Sequence, residues 1–518
     1  MKRLFCLLLT LVLLLGSTAL ADSAVVTIDL DGERKAISPL IYGVNNFSDA
    51  GVYRAVTATA VRQGGNRMSG YNWETNYSNA GSDWYHHSDT YLSSMTTPGY
   101  VGTSFVKIAR AKGIDYRLTT LQMAGYVAAD KAGTVEEADT APSARWVEVV
   151  ADKEGELSLK PDLTDGKVYM DEYVNYLIAK LGDSQNGGVQ AYSLDNEPAL
   201  WQHTHSRIHP NPTGAKELID KSVATAKVVK ALDPAAEVYG PALYGFTAFE
   251  NLADENDPDW KAAKEQNGYR WYLDYYLEEM RKASEAEGIR LLDVLDIHYY
   301  SESARVGFDD RLQSVRTLYE KGFRENSWIG QWRQHNLPLL PLVQESIQKY
   351  YPGTKLAITE YNYGGEDVSA TIAQAETLGC FADNGVYSAF IWGGNKWQYN
   401  GINLYTNFDG QGSAFGDTLV PAVTPDYSKC VAYAAIDSAN PNRLTVMATN
   451  KTAQEQQTVL VLNGSAPAWQ SAAVYAIHGD SADIRLLEDA AVIQNAGTVT
   501  VTLPAYCAAM VVLTADVP

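Results

Sequence analysis

"MDEYVNYLIAKLGDSQNGGVQAYSLDNEP", residues 170–198, reads as a helix, a turn and a strand in that order. Met170, Tyr173, Val174, Leu177, Ile178 and Leu181 recur at three- and four-residue steps, so they share one helix face that has to pack on something apolar. From Val189 the residues become strand formers, and the run ends by Pro198, which has no N–H to give a ladder. A helix handing over to a buried strand is one unit of a possible series, and the fold depends on how often the unit recurs.

Strand-like runs occur at "SPLIYGVNN" (38–46), "ATAVRQGGN" (58–66), "IDYRLTTLQ" (114–122), "VQAYSLDNEP" (189–198), "AEVYGPALY" (236–244), "DVLDIHYY" (293–300), "KLAITEYNY" (355–363) and "VYSAFIWGG" (386–394). Eight runs separated by helical stretches predict an α/β chain whose residues 37–414 form a (β/α)8 TIM barrel. A doubly wound open sheet is the competitor, but it calls for a glycine-rich phosphate turn after the first strand, and "GVNNFSDAGVY" is not one. Past Phe415 the runs "RLTVMATN", "QTVLVLNG", "AAVYAI" and "GTVTVTLPAYCAAMVVLTA" are closely spaced and broken by Asn, Gly and Asp turns. They predict a second, smaller β-sandwich domain over 415–518, to which the alternating "AVVTIDLDG" within 22–36 is expected to lend a strand.

Lys2 and Arg3 precede an apolar run from Leu4 to Gly16 and the small-residue site "ALA" at 19–21, which reads as a signal peptide over 1–21 and a secreted, extracellular protein. No interior run approaches the roughly 20 apolar residues of a membrane span. Loss of Lys2 and Arg3 takes the net charge from −21 to −23, a field that repels nucleic acid and anionic lipid. The mature cysteines, Cys380, Cys430 and Cys507, are odd in number and far apart, so bridges do not define the fold. Cys430 and Cys507 read equally as a bridge or as two buried thiols. A monomer is expected.

Catalytic groups of a barrel sit at the C-terminal ends of its strands. The fourth run ends in "DNEP" and the seventh in "TEYN", so Glu197 and Glu360 come from opposite sides of one mouth. Two carboxylates facing across a cleft are what cleavage of a glycosidic bond requires, one to protonate the leaving oxygen and one to attack or to activate water. Each alone reads as a solvated loop residue; the joint placement is the signal. Arg62 and Asn66 end the second run, where Arg62 could hold a carboxylate ionised and the glycines between them allow close approach. Alternation along the sixth run sends His298 and Tyr300 the same way as Asp296, and Trp392 at the end of the eighth could floor a sugar site.

The strings "YSLDNEPALWQHTHSRIHP", "RQGGNRMSGYNWETN", "GSDWYHH", "LAITEYNYGG" and "FIWGGN" together resemble glycoside hydrolase family 44, endoglucanases and xyloglucanases of the retaining clan A of barrel glycosidases. The resemblance spans essentially the whole mature chain. It implies Glu197 as general acid/base and Glu360 as nucleophile, with Arg62, Asn66, Asn196, His298, Tyr300 and Trp392 around them and Asn196 on the sugar 2-hydroxyl.

His203, His205 and His209 raise a rival reading, a zinc hydrolase, because an H-x-H pair ligates metal in other barrels. There the pair belongs to the first strand, whereas here it lies beyond the fourth and leaves Glu197 and Glu360 unexplained. The glycosidase reading needs no cofactor and no catalytic metal, and the acidic loops leave room for a structural calcium ion without identifying its ligands. Trp73, Trp201, Trp328, Trp332 and Trp397 fall in presumed loops after strands, where their faces could carry successive glucose rings. The expected partner is therefore a β-1,4-glucan polysaccharide, cut internally. A xylanase or mannanase on the same scaffold, and a carbohydrate-binding surface protein without activity, are the alternatives.

Overall fold

The computed structural model describes residues 23–45, 55–465, 467–495 and 497–515. The expected signal peptide lies outside them, as do residues 46–54. Eight parallel strands close into a barrel: β1 (Gly43–Asn45), β2 (Ala60–Gln63), β3 (Tyr116–Leu121), β4 (Ala191–Leu194), β5 (Glu237–Leu243), β6 (Val294–Tyr300), β7 (Lys355–Asn362) and β8 (Ser388–Ile391). Each lies within one of the eight runs read from the sequence. Closure comes from β8 against β1, with Phe390 beside Gly43 and Ile391 beside Val44. Gly43 is needed there, since a Cβ would meet the Ala389 carbonyl oxygen at 2.6 Å. Ala60, Leu118, Ala191, Tyr239, Val294, Ala357 and Phe390 form an apolar cluster of their own that fills the barrel's interior.

The helix Met170–Leu181 buries Met170, Tyr173, Val174, Leu177 and Leu181, leaves Ile178 half-buried, and ends at Gly182 with φ of 93°. The strand after it is shorter than the sequence suggests. It stops at Leu194, and Pro198 instead opens a short 3-10 turn.

Two further sheets face each other across a separate apolar core. One orders Ala422–Val423, Ser23–Asp29, Gln456–Asn463, Thr498–Leu503 and Ala491–Asn495; the other holds seven strands, from Lys35–Ala36 at one edge to Ser481–Leu487 at the other. Ser23–Asp29 runs parallel to Gln456–Asn463, although its other neighbour is antiparallel. Cys380, Cys430 and Cys507 are free, buried thiols, and burial pushes Cys430 and Cys507 up to about 12. Among the described residues no helix is long and apolar enough to cross a membrane.

The helix Val368–Asp383, which follows β7, is buried on every side from Val368 to Ala382 because the barrel covers one face and the seven-stranded sheet the other. Gly379 sets how closely they approach: a Cβ there would lie 2.1 Å from the Tyr433 ring. Gly379→Ala ordinarily favours a helix, by roughly 0.5–1 kcal/mol. Here it should instead destabilise by about 1–3 kcal/mol through overpacking, seen as a lower urea midpoint. An unchanged or higher midpoint would mean that Tyr433 yields freely.

Candidate active site

Two backbone irregularities bring the site together. After β4 the chain turns through left-handed conformations, Asp195 at φ 62° and Glu197 at φ 44°. Such conformations cost a non-glycine residue on the order of 1–2 kcal/mol and persist only where the surroundings fix them. The fully buried Asp195 carboxylate accepts from Ser69 Oγ and from the N–H groups of Met123, Ala124 and Asn196. Glu197 N–H donates to the Ala242 carbonyl on β5 at 3.0 Å, and Trp201 Nε1 donates to the Asn196 carbonyl at 3.1 Å. The turn swings Glu197 over the barrel.

The second irregularity is a bulge in β7. Ile297 pairs with Ile358, but His298 pairs with Glu360, so Thr359 is an extra residue. In a regular strand Thr359 and Glu360 would face opposite ways. The bulge turns both inward, Thr359 Oγ1 to His298 Nε2 at 3.1 Å and Glu360 Oε2 to the Tyr300 hydroxyl at 2.8 Å.

Around these, Arg62 acts as a hub. Its Nη1 donates to Glu360 Oε1 at 2.8 Å and to Asn45 Oδ1 at 2.9 Å, and its Nη2 donates to Asn196 Oδ1 at 2.9 Å. The guanidinium is fully buried, and a Cβ on Gly64 would run into it at 2.4 Å. Gly65, at φ 86°, leaves room for the Trp392 indole, which a Cβ would meet at 2.2 Å. Those clearances are the physical need behind "RQGGN". Asn66 continues the chain outward, accepting from Asn196 Nδ2 at 3.3 Å and donating to Asp83.

One oxygen of Glu197, one of Glu360 and a ring nitrogen of His298 lie within 4.8 Å of one another. His298 Nδ1 is 2.9 Å from Glu197 Oε1 and 3.6 Å from Glu360 Oε2. Burial works to raise the pKa of Glu360, but His298, Arg62 and the Tyr300 hydroxyl outweigh it and hold the carboxyl below its usual range. His298 is raised, because Glu360 and Glu197 outweigh its burial. Burial and the nearby carboxylates push Tyr300 far above a phenol's ordinary value, so it remains a donor. Glu360, Arg62, His298 and Tyr300 thus form a packed ionic cluster, with Glu197 at its edge and more open, its side chain 13% exposed.

The structure corrects two of the tryptophan expectations. Trp73 is fully buried, stacked on Tyr173 at 5.4 Å with Nε1 bonded to the Tyr169 carbonyl. Trp201 is fully buried too, holding the Asn196 carbonyl from behind. Neither can carry a sugar ring. Trp328, Trp392 and Trp397 are half-buried, and Trp332 is 65% exposed. Sequence reasoning passed over Asn45, Thr359, Asp195 and Asp83. Asn45 was open to the rule that found the others, a polar residue at the C-terminal end of a barrel strand.

The three imidazoles after β4 make separate contacts. His203 is exposed beside Gln202; His209 touches the Asn211 carbonyl and Glu217; His205 is buried and its pKa is lowered to about 3 by burial. Among the described residues the one group of three with ligand atoms near enough to share an ion is Glu197, His298 and Glu360. There the Arg62 guanidinium already meets the charge of Glu360.

Residues 77–303 match glycoside hydrolase family 44. The chain is similar to a GH family 44 endoglucanase of Clostridium thermocellum, Cel44A, at 46% identity and a TM-score of 0.89, over 95% of this chain and 100% of that one. It is equally similar in shape to a family 44 xyloglucanase of Paenibacillus polymyxa solved with xyloglucan, at 43% identity and a TM-score of 0.89, over 95% and 100%. The β-mannanase/endoglucanase A of Caldicellulosiruptor saccharolyticus is 44% identical over 89% of this chain, which spans 36% of that longer protein.

Proposed function

The chain belongs to glycoside hydrolase family 44, and from that premise we propose that it is a secreted, retaining endo-β-1,4-glucanase that cuts cellulose-type glucans and xyloglucan within the chain. The observation that carries the reading is the approach of Glu197 and Glu360 to within 4.8 Å from the ends of β4 and β7. Retaining glycosidases hold their two carboxyl groups about 5–5.5 Å apart, whereas inverting ones leave roughly 6.5–9.5 Å for a water.

Glu360, kept ionised by Arg62, attacks the anomeric carbon, while Glu197 gives its proton to the departing oxygen. Glu197 then takes a proton from water, whose oxygen displaces Glu360 and restores the starting configuration. Asn196, held by Arg62 on one side and Asn66 on the other, is positioned to meet the sugar 2-hydroxyl as oxocarbenium character grows. Trp392 underlies the reacting sugar, and Trp328, Trp332 and Trp397 carry further rings. The barrel of 37–414 does the chemistry, and the sandwich, with 22–36, braces it. No step draws on a cofactor or metal.

The test is wild-type protein on carboxymethylcellulose, xyloglucan, glucomannan and xylan. Viscosity of the first two should fall much faster than reducing ends appear, and the first product anomer should be β. A mannan- or xylan-only product would move the specificity to the alternative substrates; an α anomer would remove the covalent route.

A further inference from the structure

Behind His298, away from Glu197 and Glu360, lies a buried pair that the double displacement leaves unused. Thr359 Oγ1 donates to Asp296, 2.7 Å from Oδ1 and 2.8 Å from Oδ2, and the Thr359 N–H points at the same carboxylate. All three residues of the chain Asp296–Thr359–His298 are fully buried. A threonine hydroxyl has one proton. With that proton directed to Asp296, only lone pairs face His298 Nε2, 3.1 Å away, so Nε2 has to carry a proton itself. On the other side Nδ1 faces Glu197 Oε1 at 2.9 Å and Glu360 Oε2 at 3.6 Å, both acceptors when ionised.

We infer that Thr359, backed by Asp296, is a positioning residue that keeps His298 protonated on both ring nitrogens, so that its Nδ1–H serves Glu360 and Glu197 in turn. The charge movement of the reaction shows the use of this. As the bond from Glu360 to the anomeric carbon forms, the bond to the glycosidic oxygen breaks. The electron pair goes to that oxygen, which takes the proton of Glu197. Negative charge therefore leaves Glu360 and appears on Glu197, and hydrolysis of the intermediate moves it back. A fixed cation between the two lowers the cost of both transfers without moving itself. The groups facing His298 are Glu197 from the turn after β4, Glu360 and Thr359 on β7, Asp296 on β6 and Arg62 on β2, while Tyr300 on β6 donates to Glu360. The two cations, Arg62 and His298, then match Asp296 and the single negative charge that the two glutamates share. Burial pushes Asp296 up to about 6, with His298, Arg62 and Thr359 opposing, and the Thr359 hydroxyl and N–H both point at the carboxylate as donors, the arrangement of an anionic acceptor.

Two measurements decide it. Nitrogen NMR of the His298 ring in the whole wild-type protein, without substrate, should show both nitrogens protonated at pH 7. Thr359→Val keeps the branched shape but removes the oxygen, so the ring should lose a proton at lower pH. The alkaline limb of kcat/KM should then move down by about one pH unit. Thr359→Ser, which restores the hydroxyl, should return the limb to its wild-type position. A purely structural role would lower kcat/KM alike at all pH values and leave the limb in place, and that result overturns the inference. An unprotonated Nε2 in active wild type overturns it too, even if the valine variant fails to fold. The inference rests on the double-displacement reading, but the ring nitrogens are read without substrate. Inactivity on every glucan would therefore sink that reading separately.

Discussion

Glu360→Gln should abolish turnover on carboxymethylcellulose and xyloglucan, with kcat/KM falling by on the order of 10⁴-fold or more, about 5–6 kcal/mol of transition-state stabilisation. The amide is nearly isosteric, so the fold should stay intact; what disappears is the anion that Arg62 and Tyr300 are arranged around. Glu197→Gln should behave differently. Proton donation is worth roughly 10²–10⁴-fold, and it matters only as far as the leaving group needs it. The loss should therefore be large on glucans and small for the first step on an aryl glycoside with an acidic phenol. Azide separates the roles further. In Glu360→Ala it can fill the space left by the carboxylate and attack directly, giving the α-glycosyl azide. In Glu197→Ala it can resolve the covalent intermediate, giving the β product. The same azide anomer from both variants would mean that the two glutamates do not hold the assigned roles.

The pH dependence follows from the same cluster. Because Glu360 is held below its ordinary pKa, it stays ionised to lower pH than a free carboxyl, and its ion pair with Arg62 stabilises the fold above the unfolded-state pKa. That contribution disappears as pH falls through the depressed value. Acid inactivation should accordingly come from protonation of Glu360 well into the acid range.

The sequence discloses the strands and the two glutamates but not the backbone irregularities that make them a site. Alternation correctly sends Asp296, His298 and Tyr300 into the barrel, because β6 is regular there. The same rule applied to β7 would send Thr359 and Glu360 to opposite faces; the bulge overrides it, and neither residue marks a bulge in the sequence. The left-handed turn at Asp195 and Glu197 is equally hidden, since it is imposed by Ser69, Met123, Ala124 and Ala242 from other segments. Trp73 and Trp201 fail as sugar platforms for a related reason. Position after a strand indicates which end of the barrel a residue occupies, but not whether a loop folds back over it. Trp73 is covered by Tyr173 and Tyr176 of the helix 170–181, and Trp201 by Lys221 and His209.

The second large effect lies where the barrel meets the sandwich, and it bears on the site because of the helix Val368–Asp383, the one joined to β7. Glu376 on that helix pairs with Lys451 from the sandwich at 2.5 Å, and both side chains are fully buried. The Tyr319 hydroxyl donates to the other oxygen of Glu376 at 2.8 Å, and the Tyr427 carbonyl accepts from Lys451 at 3.1 Å. Burial lowers the pKa of Lys451 against the pull of Glu376, the mark of a charge held in a costly place. A buried pair contributes little net stability compared with an apolar pair of the same shape, but removing one partner strands the other. Lys451→Met should thus destabilise the protein by about 3–5 kcal/mol, seen as a lower urea midpoint, while activity per folded molecule is kept. Adding Glu376→Gln should recover a large part of that loss, because no charge is then left unpaired. If the single and double variants are equally unstable, the cost lies in packing around the lysine chain rather than in a stranded carboxylate. If activity falls while the fold holds, the helix passes the disturbance along β7 to Glu360, and the sandwich then takes part in setting the nucleophile as well as in bracing the barrel.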